Sequence, residues 1–74
     1  MTELYKYQTV LEMIQSCFNS TTANESLLYF TKFRLYVTNK NNLKTIPRED
    51  KQIIIHGVCS KMVERFPLLE EWIN

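Results

Sequence analysis

The apolar residues Tyr7, Val10, Leu11, Ile14, Cys17 and Phe18 recur at intervals of three and four, which places them along one stripe of a helix. Thr2 is available as its N-cap, so the pattern predicts a helix over residues 4–18. The stretch NSTTAN that follows breaks the periodicity, because Asn, Ser and Thr offer the backbone competing hydrogen bonds and favour turns. Within it Thr22-Ala23-Asn24-Glu25 has the form of a capping box: Thr22 accepts from the amide three residues on, and Glu25 reaches back to the cap amide. A second helix is expected over 23–37.

The end of that helix carries a conflicting pattern. Lys32 to Thr38 alternates, with Phe33, Leu35 and Val37 on one side and Lys32, Arg34, Tyr36 and Thr38 on the other, and alternation is the mark of a strand. A turn at NKNN would then lead into LKTI, giving a hairpin over residues 30–46. Two short strands alone are marginal without a third, and as a helix the same residues suit the middle of a small bundle. The helix is the preferred reading.

The third stripe is the longest: Ile55, Val58, Cys59, Met62, Val63 and Phe66, widened by Ile54. Pro47 suits the first turn, where its missing N–H costs nothing, and Glu49 and Asp50 complement the positive helix end. Gly57 weakens this helix by about 1 kcal/mol relative to Ala but would permit the close approach of a neighbouring helix. Pro67 stops it near Arg65, and PLLEEWIN then offers a last turn or short helix. The expected fold is all-α, a three- to four-helix bundle in a single domain over residues 1–74. Its predicted helices run 4–18, 23–37 and 47–65, and Leu11, Ile14, Phe18, Leu28, Phe33, Ile55, Cys59, Met62 and Phe66 form its expected core. The alternative is α+β, with the 30–46 hairpin between two helices.

Size sharpens this picture. At 74 residues a single core supplies only about 3–5 kcal/mol, so each buried side chain counts. One Gly and two Pro are few for a turn-rich β fold. The start MTELYKYQTV has no basic leader before an apolar run, and no stretch approaches the roughly eighteen apolar residues needed to cross a bilayer. An intracellular chain without a membrane role is expected, with Cys17 and Cys59 as free thiols.

The net charge of +1 gives no overall pull toward polyanions, but six of the nine Lys and Arg fall between Lys32 and Lys51. Lys32, Arg34, Lys40, Lys44, Arg48 and Lys51 could therefore form a phosphate-binding surface, with Tyr29 or Tyr36 stacking on bases if they face outward. A helix-turn-helix is disfavoured, because the helix after NKNNLKTIP begins acidic and turns apolar.

Catalysis finds little material. The chain has one His and one Asp; His56 and Cys59 stand three apart on a predicted helix and could touch, but no third group orients them. Two Cys and one His lack zinc-ligand spacing, and the single Gly, inside a helix, makes no phosphate loop. Neither a cofactor nor a metal nor a small-molecule substrate is expected.

The apolar excess at the C-terminus points elsewhere. Leu68, Leu69, Trp72 and Ile73 exceed what so small an interior readily buries, and they form the aromatic and aliphatic set that interface cores favour. The segment PREDKQIIIHGVCSKMVERFPLLEEW, Pro47 to Trp72, also resembles an uncharacterised helical segment of animal proteins that sits beside sterile-alpha-motif-like domains. The resemblance covers about a third of the chain and implies a helical interaction module without catalytic residues. The expected function is a non-catalytic adaptor or regulatory domain that binds a protein partner or its own copy. The alternative is a nucleic-acid-binding module that uses residues 30–51.

Overall fold

The computed structural model describes residues 2–73, with side chains from Tyr5 onward. Four helices follow one another: α1 (Thr2–Asn19), α2 (Ala23–Thr38), α3 (Arg48–Arg65) and α4 (Leu69–Ile73). The fold is the expected all-α bundle, and the described residues contain no strand. Helices α1 and α2 make the most extensive contact, α3 packs across both, and α4 touches α3. The result is a slab of 37 × 22 × 15 Å.

Local chemistry explains the α1–α2 turn. The Glu25 amide donates to the Thr22 hydroxyl at 3.2 Å, as a capping box requires. The return contact is displaced by one residue: the Glu25 carboxylate accepts from the amide and hydroxyl of Thr21, at 3.3 and 3.2 Å. Two buried serines close the junction. Ser20 donates to the Ser16 carbonyl at 2.7 Å, and Ser26 reaches across to the Cys17 carbonyl at 3.1 Å. The second bond links α2 to the end of α1 and leaves neither hydroxyl unsatisfied.

The hairpin alternative fails on helical geometry. Ser26, Phe30, Phe33 and Val37 are the buried residues of α2, spaced by four, three and four, which is one helical face. Leu35 lies two residues from both Phe33 and Val37, hence about 200° round the helix from each. It is 66% exposed. The same geometry corrects the expected core. Leu28, two residues from Ser26 and from Phe30, is 55% exposed, and Leu11, next to the buried Val10, is 60% exposed. Neither joins the core, because these helices are covered along one line only. Phe33, Ile55 and Met62 are buried as expected, while Ile14, Phe18, Cys59 and Phe66 pack against the core with part of their surface exposed.

The linker between α2 and α3 supplies a core residue that periodicity does not mark. Leu43 is 1% exposed and takes a left-handed backbone, φ 51°, at a cost of about 1–2 kcal/mol for a residue with a Cβ. Its burial offsets that strain, and the surrounding loop is tied to two helices. Lys6 donates to the Asn41 carbonyl at 2.6 Å, the Tyr7 hydroxyl meets that of Thr45 at 2.8 Å, and Lys51 donates to the Asn42 carbonyl at 3.0 Å.

Helix α3 starts after Pro47, one residue later than expected, and has no side-chain cap. Its buried line is Ile55, Val58 and Met62. A Cβ added at Gly57 would have nothing within 4 Å, so among the described residues no helix uses the close approach that Gly57 would allow. Phe66 ends α3 with its amide on the Met62 carbonyl at 2.8 Å. Beyond Pro67, α4 turns back so that Leu69 is fully enclosed.

Candidate interaction groove and basic cleft

Four C-terminal residues were expected to form one apolar anchor, and the fold divides them. Leu69 is 0% exposed and belongs to the core; in this arrangement it cannot touch a partner. Ile73 is half-buried against the same core. Leu68 and Trp72 stay outside, Trp72 at 42% exposure. Leu69 and Ile73, four apart on α4, share the face that packs on the core; Leu68 precedes the helix, and Trp72 lines the groove toward α2.

Trp72 and Ile73 form one wall of a groove whose other wall is α2. Leu27, Phe30, Thr31, Arg34, Leu35 and Thr38 line it with them, around a volume of about 430 Å³. The alternating pattern hid Leu35 by grouping it with Phe33 and Val37. On a helical wheel, its position opposite the core was available from the sequence. Arg34 is the single charged residue in this lining.

The six basic residues do not form one surface. Lys32 stands 6.0 Å from the centre of the Tyr29 ring and borders a hollow with Thr9, Glu12, Met13 and Ser16. Arg34 lies in the groove, and Lys44 is exposed on the loop. Lys40, Arg48 and Lys51 come together, lining a cleft of about 390 Å³ with Thr38 and Gln52. Of the two tyrosines considered for base stacking, Tyr29 is 37% exposed and Tyr36 packs against the core.

The thiols differ in setting. Burial pushes Cys17 up to about 11, and burial also raises Cys59, partly offset by the nearby positive charge of Arg34. Both shifts favour the neutral thiol, the opposite of what an attacking thiolate needs. His56 lies on the exposed side of α3, beside Gln52, Ile53 and Gly57. Among the described residues, no group of three or more His, Cys, Asp or Glu is placed to hold a metal ion. No described helix is long and apolar enough to cross a membrane.

No protein-family model matches the chain, and neither the curated proteins nor the solved structures contain a significant match to it.

Proposed function

We propose that this protein is a small, non-catalytic interaction domain, an adaptor or regulatory module, that binds a partner polypeptide in the groove between α2 and α4. One observation carries the reading: Leu35 and Trp72, 66% and 42% exposed, line the same groove from different helices. Full burial of an exposed large apolar side chain is worth roughly 1.5–3 kcal/mol, and leaving Leu35 and Trp72 partly in water forgoes the corresponding share of it for each. That is a sizeable loss for a domain of this size, and a partner would recover it. Trp is also among the residues most enriched where interfaces concentrate their energy. The resemblance of residues 47–72 to an uncharacterised helical segment that sits beside sterile-alpha-motif-like domains in animal proteins points the same way, as do the raised thiols and the single exposed histidine, which make a poor catalytic set.

The test is affinity capture from the native source, after nuclease treatment, with wild-type and Leu35→Glu baits of matched stability. Light scattering on both reports self-association. Proteins held by the wild type and lost by Leu35→Glu, or a wild-type dimer that Leu35→Glu dissociates, are the expected results. Equal capture by both baits, or capture that nuclease abolishes, would remove the groove from the function.

A further inference from the structure

The cleft that gathers Lys40, Arg48 and Lys51 calls for a ligand that the apolar groove alone does not. Arg48, Lys51 and Gln52 stand at i, i+3 and i+4 on the first turns of α3 and so share a face, and the loop brings Lys40 opposite them. Among the described residues the ion pair found is Lys61 with Glu64, and no described carboxylate pairs with any of the three cations. Glu49 and Asp50 follow Arg48 in the chain but do not line the cleft. Lys51 spends one N–H on the Asn42 carbonyl at 3.0 Å, which fixes its direction and leaves two N–H groups to donate. The Thr38 hydroxyl donates to the Arg34 carbonyl at 2.8 Å, so the donors facing the cleft are the three cations and the Gln52 amide. Converging positive charges without counter-charge repel one another, and an anion between them relieves that repulsion. A phosphomonoester, with close to two negative charges and three acceptor oxygens, matches this donor set better than a single carboxylate.

The cleft and the groove adjoin, because Thr38 lines both. We propose that the cleft binds a phosphomonoester carried by the partner polypeptide whose apolar residues occupy the α2–α4 groove, so that phosphorylation of the partner controls its docking. This inference rests on the groove reading for the ligand's source and on the cation cluster for its chemistry. A nucleic-acid strand fits less well. It requires a track of cations, whereas Lys32 and Lys44 lie outside the cleft and Lys32 borders a hollow that also contains Glu12.

Amide-resolved NMR titration of the whole protein with phenyl phosphate tests the proposal, with inorganic phosphate and an oligothymidylate run in parallel. Expected are saturable shifts at Lys40, Arg48, Lys51 and Gln52 that extend through Thr38 to Leu35 with phenyl phosphate. A Lys40→Ala, Arg48→Ala double variant should bind roughly tenfold or more weakly, as charge-assisted hydrogen bonds to the dianion are lost. Both positions are exposed, so an unchanged spectrum elsewhere certifies the fold. No saturable shift in the millimolar range, or binding unaffected by the double variant, would overturn the phosphoryl site. Tighter binding of oligothymidylate with shifts at Lys32 and Lys44 would overturn the polypeptide source. If the cleft fails to bind while Leu35→Glu still abolishes capture, the groove reading stands and the phosphoryl inference alone falls.

Discussion

Leu69 and Trp72 lie three residues apart on the same short helix and are treated in opposite ways. Leu69 is fully enclosed, while Trp72 keeps 42% of its surface in water and faces α2 across an open groove. Helix α2 repeats the division: Phe33 is buried, and Leu35, two residues on, is 66% exposed. Apolar character alone therefore does not separate core from surface in this molecule. On α2 angular position about the helix does, on α4 the way the helix docks does, and Leu35 and Trp72, left outside by the two helices, line one groove.

Stability measurements should separate the two sets. Leu69→Ala and Leu43→Ala should each destabilise by about 2–5 kcal/mol, the range for emptying an enclosed aliphatic site, seen as a large drop in urea midpoint. Against a core worth only a few kcal/mol, either variant is expected to be partly unfolded by circular dichroism. Leu35→Ala should change stability by no more than about 0.5 kcal/mol, as for a surface site. A loss of several kcal/mol at Leu35 would show that the groove wall belongs to the core.

The next effect is pH-dependent. Cys17 ionises near 9.0 when exposed and at about 11 in the folded protein, so the folded state holds its proton more tightly. Stability from this group is fully present below pH 9 and is lost as pH rises toward 11, because the unfolded chain releases the proton first. The span corresponds to roughly 2–3 kcal/mol. Tyrosines and lysines titrate in the same window, so the measurement is the difference in alkaline unfolding between wild type and Cys17→Ala. The variant should be less stable at neutral pH but lose less on going to pH 11; parallel curves would show that Cys17 is not held neutral by the fold.

A smaller effect than these losses has the opposite sign. Gly57 has no neighbour that a Cβ would strike, so Gly57→Ala should stabilise α3 by up to about 1 kcal/mol through helix propensity. Destabilisation would reveal a contact at this face, such as a second copy of the chain.

Three of the helices were readable in the sequence to within a residue or two at the described ends, because their apolar stripes are long and their breaks are chemical: Thr22 as a cap, Pro67 as a stop. The loop was not readable. Leu43 is buried in a left-handed conformation that no periodicity announces, in a loop tethered by Lys6 and Tyr7, distant in the chain, and by Lys51 on α3. The C-terminal set was legible as apolar, but its division into Leu69 inside and Trp72 outside depends on where α4 docks. The groove needed a partner wall on α2, and the alternation around Leu35 pointed to the wrong geometry. Of the six cations, Arg48 and Lys51 stand three apart on a helix the sequence predicts, but nothing local marked Lys40 as their neighbour, since the loop fold brings it to them.

The most direct test of the groove uses Trp72, the only tryptophan in the chain, as its own reporter. A polypeptide captured by the wild type is titrated into wild-type, Leu35→Glu and Leu11→Glu proteins while Trp72 fluorescence is followed. Leu11 provides the control, being 60% exposed and outside the groove lining. A saturable Trp72 change in the wild type and in Leu11→Glu, absent from a stably folded Leu35→Glu, is the predicted result. Binding that leaves Trp72 unchanged, or that is lost equally in both variants, would contradict the assignment of the α2–α4 groove as the interaction surface.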